Sequence, residues 1–210
     1  MCWSVSYPIL LFSSNTLPIT SDIATVSVEQ AKSRWEDLKG ARFDASFATL
    51  DCYTESLSKA FSPAKLAQPF DVVSMQFCMH YAFETLQKAR CMLENVSRNL
   101  RPGGVFIGTI PNSELLLYVR IQICIFFLSF LESVLRILIR EHLNVLTNQD
   151  DLSFGNSVYK ITFEKRDDKP IFGHKYWFFL QDAVENVPEY IVRWDNFVQY
   201  VLFHSSLALV

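Results

Sequence analysis

Polar residues that follow three candidate strands could bind a nucleoside. Asp22 and Asp51 each end a short apolar segment, and the stretch from Gln76 to Tyr81 follows a third. In an open α/β sheet, ligands bind beyond the carboxyl ends of the strands. One acid there can accept hydrogen bonds from both ribose hydroxyls, and an acid one strand later can accept from an adenine amino group. Each acid alone fits a turn role better, and only the ordered pair points to a nucleoside site.

The elements that would position these residues follow from hydrophobic periodicity. Apolar residues at helical spacing predict helices over residues 27–39 and 84–100. Mostly apolar or alternating runs predict strands over residues 43–50, 70–77 and 105–110, and a fourth short strand would end on Asp22. A strand, a helix and a second buried strand form a β–α–β unit, so the middle of the chain is predicted to be α/β.

The second half of the chain has a different hydrophobic pattern. Alternation over residues 158–163, a charged turn, and the aromatic run 171–180 predict an antiparallel hairpin. Between the two halves, residues 121–131 form an uncharged run of 11 residues. A membrane-spanning helix needs about 20 such residues, so a buried or interfacial helix, or a segment foreign to the fold, is the favoured interpretation.

Composition excludes several classes of protein. The chain has 210 residues with 19 Lys and Arg against 22 Asp and Glu, so it is not a polycation that holds nucleic acid by bulk charge. The five cysteines are scattered, without a CxxC pair, so neither a zinc site nor a disulfide framework is expected. No glycine precedes Gly40, so the first 39 residues hold no glycine-rich nucleotide loop.

Two long segments, residues 70–84 and 100–113, resemble the cellular mRNA cap (guanine-N7) methyltransferases. Residues 22–34, the element Phe154-Gly155-Asn156 and residues 187–190 fall in the order of the same family. The resemblance implies an α/β fold of the class I S-adenosylmethionine-dependent methyltransferase (Rossmann-like) type, truncated, with an antiparallel hairpin insertion. It also implies one partial domain over residues 1–210, with a divergent lead (1–20), an apolar insertion (117–137) and a divergent tail (199–210).

The resemblance also implies a cofactor site for S-adenosylmethionine. Asp22 would bind the ribose hydroxyls and Asp51 the adenine. Gln76 would lie near the methionine end of the cofactor, and Tyr81 would close over it. No metal and no catalytic base are implied, because N7 of guanine carries no proton and the methyl group is already activated. Catalysis would come from holding the two reactants in line.

The resemblance further implies a cap site formed by Arg34, His80 and Glu189. A carboxylate such as Glu189 can accept from the imino and amino groups of guanine, and Arg34 could face a phosphate or a sugar. His80 could hydrogen-bond or pack beside the base. The implied partners are the capped 5′ end of mRNA and other capping or transcription machinery, in the nucleus, with no stable membrane association.

The chain departs from this family at its amino end. The family's first strand and glycine-rich cofactor loop should precede Asp22, where this chain has no glycine. We therefore expect the central strand and one wall of the cofactor pocket to be missing, with both neighbouring strand edges exposed. Two alternatives remain at this stage: a catalytically inactive fragment that acts as a binding or regulatory partner, and a membrane-associated protein built around residues 115–139.

Overall fold

A five-stranded sheet and a four-stranded sheet form the framework of the computed structural model, which describes residues 9–13, 18–39, 43–113, 116–117, 152–165 and 170–204. The strands are β1 Ile9–Phe12, β2 Ile19–Asp22, β3 Ser46–Thr49, β4 Phe70–Gln76, β5 Leu100–Thr109, β6 Ser153–Gly155, β7 Tyr159–Phe163, β8 Lys175–Leu180 and β9 Val184–Tyr190. The helices are α1 Thr25–Glu36, α2 Pro63–Leu66, α3 Leu86–Asn99 and α4 Trp194–His204, with 3-10 helices at Leu57–Lys59 and Met79–Glu84.

The larger sheet has the strand order β3-β2-β1-β4-β5. Strands β2 and β3 are parallel to each other, as are β4 and β5, and helices α1 and α3 provide the connections within these pairs. The chain thus leaves the centre of the sheet in both directions, as in doubly wound Rossmann-like folds. The predicted α/β class is confirmed, and the predicted helices and strands are present with ends shifted by a few residues.

The prediction that the central strand is missing was wrong. Strand β1 lies between β2 and β4 and is antiparallel to both, pairing Leu10 with Thr20 on one side and with Ser74 on the other. Its alternating side chains explain the position, because Ile9 and Leu11 are fully buried while Phe12 is 40% exposed. The edges of β2 and β4 are therefore paired, by a strand that runs in the opposite direction.

Helix α3 anchors the core beneath one face of this sheet. Thr85 caps its first turn by accepting the N–H of Lys88 at 3.2 Å. Its buried residues Met92, Leu93 and Val96 pack into a cluster that includes the fully buried Phe70 and Val73 of β4. This packing holds β4 rigidly, and β4 ends at the candidate site.

Strand β5 begins earlier than the predicted residue 105. It pairs Leu100 with Phe70, and the register then shifts before Val72 pairs with Val105. The glycines after Pro102 allow this irregularity, since Gly103 has a φ of +74°. The sequence Arg-Pro-Gly-Gly therefore lies within the strand and does not separate it from the helix.

The smaller sheet confirms the predicted hairpin and extends it to four antiparallel strands in the order β6-β7-β8-β9. Gly155, in the Phe-Gly-Asn element, has a φ of +144°. A Cβ atom there would lie 2.2 Å from the carbonyl oxygen of Tyr159, so only glycine fits this turn between β6 and β7.

Most of the apolar segment 117–137 lies outside the described residues, as does the tail from residue 205. The described residues contain no helix with the length and apolar character needed to cross a membrane. Residues 194–204, which include the start of the divergent tail, form helix α4.

Candidate functional site

The carboxyl ends of β2, β3 and β4 meet at one edge of the larger sheet, hereafter the ligand edge. Leu10 of β1 pairs with Thr20 of β2 on one side and with Ser74 of β4 on the other, so Thr20 and Ser74 lie at the same level of the sheet. Asp22 and Gln76, each two residues further along, therefore reach the same edge. Asp51 follows directly, because the N–H of Leu50 donates to the carbonyl of Asp22 at 2.9 Å.

Both acids also hold their own turns. Oδ1 of the buried Asp22 accepts the N–H of Ala24 at 2.7 Å, directly before helix α1. Oδ1 of Asp51 accepts the N–H of Tyr53 at 3.0 Å, and its Oδ2 accepts from Thr54 at 2.9 Å. A carboxylate has about four acceptor positions, so the half-buried Asp51 can accept further hydrogen bonds while its turn stays intact.

The side chain of Gln76 is fixed at the end of β4. Its Nε2 donates to the buried hydroxyl of Ser74 at 3.1 Å. The next residue, Phe77, has a φ of +55°, and 75% of its surface is exposed. A bulky side chain in this backbone region costs on the order of 1–3 kcal/mol, and such strain clusters at functional sites. Residue spacing and hydrophobic pattern do not predict this conformation.

The chain then turns through a buried corner, residues 78–81. The hydroxyl of Tyr53 donates to the carbonyl of Cys78 at 2.8 Å and ties the corner to the loop after β3. Burial, and to a smaller extent the nearby Asp22 carboxylate, raise the pKa of Cys78 to about 12. This thiol therefore stays protonated and does not act as a nucleophile.

Glu189 of β9 meets this corner from the smaller sheet. Its Oε1 accepts from the hydroxyl of Tyr81 at 2.9 Å, and its Oε2 accepts from the hydroxyl of Tyr176 at 2.5 Å. Nε2 of His80 lies 3.4 Å from Oε1, and the rings of His80 and Tyr81 are 4.3 Å apart. Three of the predicted residues, His80, Tyr81 and Glu189, thus form one buried cluster.

This environment keeps the Glu189 carboxylate ionised although only 7% of the residue is exposed. Burial alone would raise its pKa, but the imidazole of His80 and the hydroxyls of Tyr176 and Tyr81 outweigh it, and the pKa is lowered. Burial and the adjacent Glu189 in turn raise the pKa of Tyr176, which remains a hydrogen-bond donor.

Of the three predicted cap residues, Arg34 is the one that lies outside this cluster. It is exposed and lies in the last turn of α1, which starts at the ligand edge and runs away from it. Nine residues of helix place it about 14 Å along the axis from Thr25. Its role in cap binding stays a prediction.

Tyr176 and Phe77 were missed by the sequence reasoning. Tyr176 pairs with Glu189 across β8 and β9, and this register cannot be derived from the sequence without knowing how the strands pair. Phe77 lies inside the motif that carries the resemblance, but its left-handed backbone and its exposure are visible only in the structure.

The chain is an α/β protein with an open sheet, and the ligand edge lies at the carboxyl ends of the strands, where proteins of this class bind their ligands. The family model for the mRNA (guanine-N(7))-methyltransferase domain matches residues 15–204. The chain belongs to this family.

Several fungal relatives carry the name mRNA cap guanine-N(7) methyltransferase. The protein of Cryptococcus neoformans is 47% identical over 90% of this chain and 27% of its own length. That of Schizosaccharomyces pombe is 40% identical over 84% of this chain and 42% of its own length. That of Saccharomyces cerevisiae is 36% identical over 83% and 37%, respectively. The chain thus spans about a quarter to two fifths of the length of these relatives.

Among solved structures, an S-adenosylmethionine-dependent methyltransferase from Clostridium acetobutylicum superposes with a TM-score of 0.49 and 13% identity. The superposition covers 88% of this chain and 61% of the other.

Proposed function

We propose that this chain acts as an mRNA cap guanine-N7 methyltransferase that uses S-adenosylmethionine. The observation that carries the proposal is the ionised, buried carboxylate of Glu189 held beside the corner that directly follows Gln76. In the proposal, Glu189 forms the purine site and the ligand edge binds the nucleoside of the cofactor, so the two reactants are held side by side. Family membership supports the same reaction.

The residues at the ligand edge fit the adenosyl end of the cofactor. Two carboxylates, one at the end of β2 and one just after its parallel neighbour β3, offer the acceptors that ribose hydroxyls and an adenine amino group need. In the proposal Asp22 holds the ribose, Asp51 the adenine, and Gln76 lies near the methionine end with Tyr81 beside it. When bound, S-adenosylmethionine supplies a methyl group activated by its attachment to a sulfonium.

Glu189 and its neighbours would recognise the guanine. Oε2 accepts from Tyr176 and retains a second lone pair for an imino or amino group of the base, whereas Oε1 faces both Tyr81 and His80. Nδ1 of His80 is buried and has no hydrogen-bond partner within the described part of the chain. A buried unpartnered nitrogen calls for an explanation, and a bound base would provide one.

The rate enhancement would come from orientation. N7 of guanine has a free lone pair, so the protein needs no general base for this reaction. Fixing the base on Glu189 and the cofactor on the strand ends can lower the barrier by roughly 7–11 kcal/mol in well-oriented systems. Capped mRNA as partner, further capping proteins and a nuclear location belong to the same proposal.

Glu189→Gln tests the purine site directly. The amide keeps the shape but replaces one acceptor by a donor facing the two tyrosines, so affinity for a guanosine cap dinucleotide should fall about 10- to 100-fold. Glu185→Gln, on an exposed position of the same strand, is the matched control and should bind like the unaltered chain. Titration calorimetry measures both, and equal affinities for the two variants would contradict the assignment of Glu189.

Titration of the unaltered chain with S-adenosylmethionine tests the cofactor site. We expect binding that Asp22→Asn weakens by at least about tenfold, because a charged acceptor is lost. One observation favours a second function, a cap-binding protein without transferase activity: strand β1 is reversed, and the sequence has no glycine before Gly40 that could form a glycine-rich loop beside it. Cap binding by folded protein without cofactor binding would establish that alternative.

A further inference from the structure

Phe77 adopts a conformation that its side chain disfavours. Its φ of +55° is a left-handed value that glycine and asparagine adopt more readily than phenylalanine. The residue is 75% exposed at the ligand edge, immediately after Gln76. An exposed aromatic ring in a strained backbone needs an external contact to maintain it.

Thr109 supplies that contact. It is the last residue of β5 and pairs with Gln76 in the parallel register. The N–H of Phe77 donates to Oγ1 of Thr109 at 2.7 Å, across 32 residues of sequence. A side-chain oxygen thereby replaces the backbone carbonyl that a continuing strand would use, and β4 ends at this point.

The corner is fixed on its other side as well. The hydroxyl of Tyr53 holds the carbonyl of Cys78 at 2.8 Å. The backbone N–H of Phe77 and the carbonyl of the next residue, Cys78, are therefore each held by a hydrogen bond from another element. The Cα–Cβ bond of Phe77 has little freedom to turn away from the ligand edge.

We propose that Thr109 is a positioning residue: its hydroxyl holds Phe77 in the left-handed conformation, so that the phenyl ring forms a flat wall against which a bound purine packs. This inference rests on the proposed function for the identity of the purine. Ring faces attract bases regardless of their hydrogen-bonding pattern, so the contact would add affinity and orientation.

Thr109→Val tests the proposal, because valine keeps the shape and loses the acceptor. We expect cap-dinucleotide affinity to fall about 5- to 20-fold, methyl transfer to show a raised KM, and the amide of Phe77 to exchange its hydrogen faster. Thr109→Ser retains the hydroxyl and should stay within about twofold of the unaltered chain in affinity and KM. Thr162→Val, on β7 of the smaller sheet, is the control for removing a strand threonine.

A double-mutant cycle with Phe77→Ala links the hydroxyl to the ring. Once the ring is gone, adding Thr109→Val should not weaken cap binding further. An additional loss of the same size in the Phe77→Ala background would overturn the proposal, as would unchanged protection of the Phe77 amide in Thr109→Val. If Thr109→Val does not fold, Thr109→Val is made in the Phe77→Gly background and compared with Phe77→Gly alone. Glycine takes this φ without strain, so losing the hydroxyl should lower the free energy of unfolding less in that background.

These outcomes separate the two proposals. Failure of the unaltered chain to bind either cap dinucleotide or S-adenosylmethionine would overturn the proposed function and the purine contact with it. The rate of hydrogen exchange at the Phe77 amide measures the hydrogen bond to Thr109 in the absence of any ligand. Unchanged exchange in Thr109→Val would therefore overturn the positioning role even where cap binding is intact.

Discussion

At the scale of single residues, Glu189 determines how the protein responds to acid. Its pKa lies below the ordinary 4.5 in the folded chain. A group with a lowered pKa stabilises the fold at all pH values above its unfolded pKa, and this contribution is lost as the pH falls through the folded value. The cluster of Glu189, Tyr81, Tyr176 and His80 is therefore an acid-sensitive part of the core.

We expect the free energy of unfolding to fall more steeply in the unaltered chain than in Glu189→Gln as the pH is lowered below about 5. The reason is that the variant has no carboxylate to protonate at this position. Urea unfolding at several pH values measures the slope, with Glu185→Gln as the exposed control. Parallel slopes for the unaltered chain and Glu189→Gln would contradict the lowered pKa.

The sequence indicates most of these residues but not their contacts. Asp22, Asp51, Gln76, His80, Tyr81 and Glu189 could all be named in advance, because types and motifs are local properties. The tyrosine pair on Glu189 depends on the register between β8 and β9 and on the approach of the smaller sheet to the corner. Such long-range packing leaves no signature in residue spacing.

At the scale of elements, Asn95 joins helix α3 to the loop that follows Asp51. Its Oδ1 accepts the N–H of Leu57 at 3.0 Å, and its Nδ2 donates at 2.8 Å to the carbonyls of Cys52 and Glu55. The residue is 4% exposed, so water does not replace these bonds. One side chain thereby holds the loop that carries an acid of the ligand edge.

Asn95→Ala should lower the free energy of unfolding by roughly 2–4 kcal/mol, since it leaves three buried backbone groups without partners. Arg98→Ala, on the same helix, removes only an exposed ion pair with Glu94 and should change stability by less than about 1 kcal/mol. Chemical denaturation compares the two. A similar small effect for both would show that the loop finds other partners when Asn95 is absent.

Helix and strand periodicity predicted α1, α3, β4 and the hairpin because each is amphipathic or uniformly buried. Strand β1 was not predicted, because four residues in a low-charge segment form too short a hydrophobic pattern. Its direction depends on the strands with which it pairs. The family's expected strand and the observed one occupy the same place in the sheet order with opposite polarity.

At the scale of the whole molecule, one face of the larger sheet carries exposed apolar side chains. Phe12 is 40% exposed, Val105 47% and Ile107 45%. Register places them together, because Phe12 and Val105 both pair with Val72, and Ile107 pairs with Ser74 in the next row. Contiguous apolar surface of this kind promotes self-association.

Replacing Val105 and Ile107 together by threonine should reduce concentration-dependent association and dye binding, while the free energy of unfolding changes by less than about 1 kcal/mol. Threonine retains the β-branched shape that suits a strand. Sedimentation velocity and a hydrophobic dye report the change, and Lys160→Thr on the smaller sheet is the control. If association were undiminished, this face of the larger sheet would not be the surface through which the protein self-associates.

The reversed direction of β1 has a practical consequence for handling this protein. Ile9 stands next to Ser21, so the polypeptide enters β1 from the side on which Asp22 and Gln76 stand. An affinity tag or fusion joined directly to residue 9 would therefore begin at the ligand edge. Binding assays should therefore be carried out after the fusion has been removed.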